Sequence, residues 1–90
     1  MKISNLNFTA IRPRGSLIGF ANLTLDGNLY LGDIGVHLKS DGEVSLAFPT
    51  KRLGETKIGI YHPINKKTEE AIRKAIEEKV EELNLFNEQL

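Results

Sequence analysis

The chain has 90 residues, of which 40% are apolar and 27% charged, and it contains no cysteine. This is the length and composition of one small globular domain, which excludes wholesale disorder. The lack of cysteine excludes a disulfide scaffold, a thiol nucleophile and a zinc site with sulfur ligands.

The formal net charge of zero is distributed unevenly along the chain. Residues 1–75 carry 11 Lys and Arg against 7 Asp and Glu, whereas residues 76–90 carry one Lys against five Glu. Neutrality argues against a strong, indiscriminate nucleic-acid binder but allows a basic patch beside an acidic segment. Because there is neither a membrane-length apolar run nor the apolar stretch of a signal peptide, we expect a cytoplasmic protein without membrane contact.

The first strand is predicted where apolar and polar residues alternate through Leu6, Phe8 and Ala10. Proline cannot extend a hydrogen-bond ladder and glycine suits a turn, so residues 12–16 are expected to break this strand.

A second strand, over residues 17–25, has apolar side chains on both faces. Its predicted faces are Leu17, Ala21, Leu23 and Leu25 on one side and Ile18 and Phe20 on the other. Such a strand is either a central buried strand or a contact surface.

Turns organise the following segments. Asp26-Gly27 and Asp41-Gly42 each separate apolar runs and predict hairpins. Between them, the apolar positions change parity at Gly32-Asp33, which predicts a β-bulge. Alternation resumes from Glu43 to Phe48, and Pro49 ends this predicted strand. The segment that follows is interpreted as a loop to residue 57, before a short last strand at residues 58–60.

A helix is predicted over residues 66–86. Asn65 is its expected N-cap, and Ile72, Ile76, Val80 and Leu83 recur with the period of an apolar helical stripe. The sequence therefore predicts one α+β domain over residues 1–90, in which about five antiparallel strands precede one C-terminal helix. One helix covers one sheet face, so the other face is expected to meet water or a second copy.

No constellation of residues indicates catalysis. His37 is interpreted as a strand-surface residue, and His62 as a hydrogen-bonded bracket before the helix, with a base or a proton-dependent contact as alternatives. The sequence lacks a nucleophile elbow and the glycine patterns of phosphate and dinucleotide loops. We therefore expect no enzyme, cofactor, metal ion or small-molecule substrate.

Basic residues form clusters that are the candidate nucleic-acid-binding residues. They are Lys51, Arg52, Lys66, Lys67, Arg73, Lys74, Arg12 and Arg14. A helix N-terminus offers free backbone N–H groups to phosphate, which favours Lys66 and Lys67. Clusters that converge would track a phosphate backbone, whereas separate ones are solvated side chains. Tyr30 and Tyr61 are either base-stacking platforms or residues packed at the sheet edge.

Four short segments, taken in their order along the chain, say more about the family of this protein than its residue composition does. They are Leu23-Thr24-Leu25-Asp26, Asp33-Ile34 followed by Val36, Ala47-Phe48-Pro49-Thr50-Lys51-Arg52, and His62-Pro63-Ile64-Asn65. Together they resemble the stage V sporulation protein G family of small bacterial septation regulators. The resemblance implies a dimeric, non-catalytic regulator that binds DNA and RNA, with its strongest nucleic-acid expectation at Lys51 and Arg52. It also implies a structural role for His62 and Pro63.

The chain departs from the family pattern at basic positions. Gly35 stands where the family has arginine, and Lys57-Ile58-Gly59 replaces a Phe-Arg-Asp segment. Lys66 and Lys67 stand where many members have small polar residues, which partly restores the charge.

Two hypotheses follow from different functional classes. The first is a DNA- or RNA-binding regulator that dimerises through sheet edges or faces. The alternative is a protein-interaction module for a cell-division or regulatory partner, which would use the two-sided strand and the acidic segment at residues 77–88. Salt dependence discriminates them, because polyanion binding collapses with added salt and an apolar interface does not.

Overall fold

The computed structural model describes residues 1–83, which form two antiparallel sheets and a helix. The elements are β1 (Ile3–Arg14), β2 (Leu17–Leu25), β3 (Leu29–Leu38), β4 (Val44–Ala47), β5 (Thr50–Leu53), β6 (Thr56–Gly59) and α1 (Lys66–Glu82). The first four strands form one sheet in the order β1-β2-β3-β4, and β5 and β6 form the second. The predicted α+β class is confirmed, with six strands in two sheets over the described part of the chain. The predicted loop after Pro49 is wrong, because most of it forms the β5–β6 hairpin.

The predicted bulge in β3 is present and sets the face of the core residues. Asn22 of β2 stands opposite both Gly32 and Asp33, and Asp33 has a φ of 59°. The extra residue changes the phase of the strand. Leu31 and Ile34 are consequently both buried on the same face despite their odd spacing.

A second bulge, in β2, reverses two predicted side-chain directions. Leu17 and Gly19 pair with consecutive residues of β3, which leaves Ile18 as the extra residue. Ile18 packs against the core, whereas Leu17 lies on the other face near Gly35. The prediction that Leu17 shares the face of Ala21 is therefore wrong, since one inserted residue shifts the alternation.

β1 continues through Pro13 to Arg14, so the predicted break at residues 12–16 is wrong for its first half. β1 lies at the edge of the sheet. Proline is tolerated on an edge strand because its missing N–H can face away from the ladder. The turn itself is at Gly15, whose φ is 61°.

α1 begins as predicted and packs across the sheet between β4 and β1. The Asn65 side chain accepts a hydrogen bond from the Thr68 N–H at 2.7 Å. The buried core combines one helix stripe with residues of β2, β3 and β4 and consists of Ala21, Leu23, Leu31, Ile34, Val36, Val44, Ile72, Ile76 and Val80. Leu83 is 47% exposed as the C-cap, so its predicted place in the stripe is wrong. The predicted helical residues 84–86, and residues 84–88 of the acidic segment, lie outside the described residues.

Candidate nucleic-acid interface

The β5–β6 hairpin is attached to the four-stranded sheet through the residues that flank it, 48–49 and 60–61, which we call its root. The rings of Phe48 and Tyr61 meet edge to face with centroids 5.9 Å apart, and the Ile60 N–H donates to the Pro49 carbonyl at 2.9 Å. The Tyr61 hydroxyl donates to the Gly32 carbonyl in the β3 bulge at 2.7 Å. These contacts hold the root against the sheet, while every residue of β5 and β6 is exposed.

The register of this hairpin separates Lys51 from Arg52. Arg52 pairs with Lys57, and Lys51 pairs with Ile58. Directly opposed residues project from the same face of a strand pair, and successive residues project from opposite faces. Arg52 and Lys57 therefore form one face, which we call the cationic face, and Lys51 lies on the other. Sequence reasoning missed Lys57 because it placed this residue in a loop, and the turn residue Gly54 was only a weak signal for the hairpin.

Lys66 and Lys67 lie at the exposed start of α1, as predicted. Lys66 lines a groove along β4 together with the carboxylates of Glu43, Glu69 and Glu70. The charge of this groove is therefore mixed, which weakens its attraction for phosphate compared with that of the cationic face.

Arg73 has a structural partner. Its Nη1 lies 3.9 Å from Oε1 of Glu77, and Oε2 of Glu77 accepts a hydrogen bond from the Val44 N–H at 3.2 Å. The pair covers part of the open edge of β4, so Arg73 is less available to a ligand than Lys74, which is exposed.

Arg12 and Arg14 are not brought to the hairpin. Ile3 pairs with Leu25 at one end of the sheet, and Arg14 pairs with Leu17 at the other. The root of the hairpin lies on the Leu25 side, through the contact of Tyr61 with the bulge of β3. The two arginines consequently lie at the far end of the sheet.

The two histidines make local contacts. His62 Nδ1 donates to the Pro63 carbonyl at 3.0 Å, which fits its interpretation as a bracket before α1. His37 Nδ1 lies 2.9 Å from Ser16 Oγ on the sheet surface. Over residues 1–83, no group of three or more His, Asp or Glu side chains is arranged to hold a metal ion. In the same range, no helix has the length and apolar character to cross a membrane.

A comparison with protein families matches the SpoVG family over residues 1–82. The chain belongs to the SpoVG family. The match includes both sheets and all of α1, and it supports a SpoVG-like regulator linked to sporulation and septation. A search of curated proteins finds no match to this SpoVG-family chain.

Three of the four segments that resemble SpoVG lie where one element of the fold connects to the next, and the fourth, Asp33-Ile34 followed by Val36, lies within β3. The Leu23-Thr24-Leu25-Asp26 segment ends β2 at its turn, and the segment from Ala47 to Arg52 joins β4 to β5. The His62-Pro63-Ile64-Asn65 segment leads into α1. These positions fix where the hairpin and the helix leave the sheet.

Tyr61 gives the hairpin root a measurable pH dependence. Burial, followed by the charges of Asp33 and Tyr30, raises the pKa of Tyr61 from 10.0 to about 12. The unfolded chain loses this proton at lower pH than the folded protein, so the free energy of unfolding is expected to fall as the pH rises from 10.0 to about 12.

Tyr61→Phe tests this expectation. The variant lacks the ionisable hydroxyl group and its hydrogen bond to the Gly32 carbonyl, so we expect it to be about 1 kcal/mol less stable than wild type at neutral pH. Urea unfolding of both proteins at increasing pH should show the difference shrinking above pH 10.0. A difference that stays constant with pH would contradict the raised pKa.

Proposed function

We propose that this SpoVG-family protein is a dimeric, non-catalytic regulator that binds DNA or RNA through the cationic face of the β5–β6 hairpin. Lys66 and Lys67 at the start of α1 would add secondary phosphate contacts, and Lys74 a weaker one. No cofactor or metal ion takes part. The observation that carries the proposal is the direct opposition of Arg52 and Lys57 on an exposed hairpin.

This opposition is unfavourable for the free protein. Like charges directly opposite each other destabilise a strand pair. Residues 50–59 carry three cations and one carboxylate, Glu55. Within residues 1–83, the ion pairs engage Lys39, Arg73 and Lys79, and none engages a cation of the hairpin. A polyanion would relieve this repulsion, because phosphate oxygens accept hydrogen bonds from arginine and attract lysine.

The dimer is proposed because one hairpin offers few phosphate contacts. A two-fold axis would duplicate the cationic face, and two linked weak sites gain through effective concentration. We assign the contact to the edge of β1, a strand of 12 residues, because Glu77 already occupies the Val44 N–H on the edge of β4. Sedimentation at micromolar concentration should show a dimer, and a monomer alone would contradict this part of the proposal.

Fluorescence anisotropy of the wild-type protein tests nucleic-acid binding directly. The probes are mixed-sequence single- and double-stranded DNA and RNA, titrated at low and moderate salt. The cationic faces of the two protomers together carry about four phosphate-binding cations, which on duplex DNA would give a slope of log affinity against log salt of about −3.6. No binding at low salt would contradict the proposal.

A protein-interaction module is the second candidate. The observation that favours it is the face of the hairpin that carries Lys51, where Leu53 and Ile58 are exposed. Binding of a protein partner through these side chains would be insensitive to salt, since burial of apolar surface depends little on screening.

A further inference from the structure

The sheet face opposite α1 carries four cross-strand rows of side chains. The rows are Ser4–Thr24–Tyr30, Asn7–Asn22, Thr9–Phe20–Gly35–Ala47 and Arg14–Leu17–His37–Ser45. These residues alternate along the strands with the buried core, so they project to the other side. We call these rows the open face. Within these rows the one charged side chain is that of Arg14, and the Asn7–Asn22 row ends at the β3 bulge, where the exposed Asp33 carries a carboxylate.

Two aromatic rings on the open face are accessible. Phe20 is 41% exposed and Tyr30 is 68% exposed. The cross-strand partners of Phe20 are the small residues Thr9 and Gly35. The Tyr30 ring lies over Gly32, where an added Cβ would stand 2.8 Å from its Cε2 atom. Neither ring is therefore covered by a bulky cross-strand neighbour.

The two rings are too far apart to contact the same group of a ligand, so each ring would contact a different group. Thr24, the partner of Tyr30, and Phe20 are four residues apart on β2, which corresponds to about 13 Å. Asn7 and Asn22 lie between the two rings, and the Asn7 Nδ2 group donates to Asn22 Oδ1 at 3.4 Å. Amide side chains both donate and accept, as the edges of nucleic-acid bases do.

The two ends of this face differ in their charged neighbours. At the Tyr30 end, the hairpin is attached through the bond of Tyr61 to Gly32, and Tyr61 itself packs against the core on the α1 side of the sheet. At the other end, Arg14 stands beside Leu17. A chain of phosphates that follows the face would thus meet the Arg14 guanidinium at one end and the aromatic rings along its length.

We propose that the open face binds single-stranded RNA or DNA by stacking unpaired bases on Phe20 and Tyr30. Four-stranded antiparallel sheets with exposed rings bind unpaired bases in this way, and stacking is tolerant of sequence because every base has a π-face. A duplex keeps its bases stacked on each other and offers none to a flat face. This inference rests on the proposed nucleic-acid binding and specifies its ligand as a single strand.

Phe20→Trp provides a direct test, because the chain has no tryptophan and the variant would contain a single one. The probe is a mixed-sequence oligonucleotide of about 12 nucleotides, which is within the usual site size of single-strand binding folds. The matched control is an abasic strand with the same number of phosphates. We expect the normal strand to quench the tryptophan fluorescence and the abasic strand to leave it unchanged. Unchanged fluorescence where anisotropy shows the normal strand bound would overturn the inference.

Affinity variants provide a second readout. Phe20→Leu with Tyr30→Leu keeps apolar side chains but removes both rings, and Phe20→Tyr with Tyr30→Phe keeps both rings. We expect the leucine variant to lose at least about fivefold in single-strand affinity for each ring, with duplex affinity unchanged. The ring-keeping variant should bind like wild type.

The outcomes separate this inference from the proposed function. If wild type binds no nucleic acid at low salt, both fail. If wild type binds and the leucine variant binds single strands equally well, the inference alone fails. If the leucine variant sediments with a smaller mass than wild type, the open face is an interface between copies, which also overturns the inference.

Discussion

Replacement of both Arg52 and Lys57 with alanine is expected to weaken the binding of every DNA and RNA sequence and to flatten its salt dependence. Each cation that neutralises a duplex phosphate contributes about 0.9 to the salt slope, so the double replacement removes about 1.8 for each protomer. By this electrostatic contribution alone, the affinity should fall roughly 60-fold for each protomer at about 0.1 M salt. Anisotropy titrations of variant and wild type over a salt series would measure both quantities.

The matched control removes the same charges from elsewhere. Lys51→Ala with Arg12→Ala also deletes one lysine and one arginine, but it leaves the cationic face intact, because Lys51 projects from the opposite side of the hairpin. We expect a clearly smaller loss for this control. Equal losses in the two variants would mean that net charge governs binding and that the face of the hairpin does not.

The choice of hairpin residues depends on the strand register as well as on the sequence. Residue types made Lys51 and Arg52 two of eight candidates, and the resemblance to the family singled them out as a pair. Pairing across β5 and β6 shows that the adjacent residues Lys51 and Arg52 lie on opposite faces and that Arg52 shares its face with Lys57. Which cations share a face depends on the strand register, and the turn chemistry of Leu53-Gly54-Glu55 was too weak a signal to fix it from the sequence.

The fold was predictable wherever one face of an element is buried. β2, the β3 bulge and the start of α1 all follow from apolar periodicity, turn residues and the Asn65 cap. The β5–β6 hairpin was not, because all its residues are exposed and no burial imposes an alternating pattern. The bulge at Ile18 was also missed, since it inserts one residue into a strand that is apolar on both sides and therefore shows no change of phase.

Gly19→Ala is expected to cause the largest loss of stability among the single replacements considered. A Cβ at this position would collide with the backbone oxygen of Thr9 and with the ring of Phe8. The backbone cannot yield without breaking the β1–β2 ladder, so we expect the free energy of unfolding to fall by roughly 3 kcal/mol or more. That is a large part of the about 5–13 kcal/mol expected for a domain of this length.

Gly35→Ala is the matched control for Gly19→Ala, because both glycines are buried in neighbouring strands. A Cβ at Gly35 would lie 3.4 Å from the Cβ of Ala47 and 3.6 Å from Cδ1 of Leu17, which is close to ordinary van der Waals contact. We expect this variant to stay within about 1 kcal/mol of wild type, since alanine also reduces the entropy of the unfolded chain. Urea unfolding followed by circular dichroism would measure both variants. Equal destabilisation would contradict the assignment of Gly19 to the closely packed β1–β2 junction and of Gly35 to the open face.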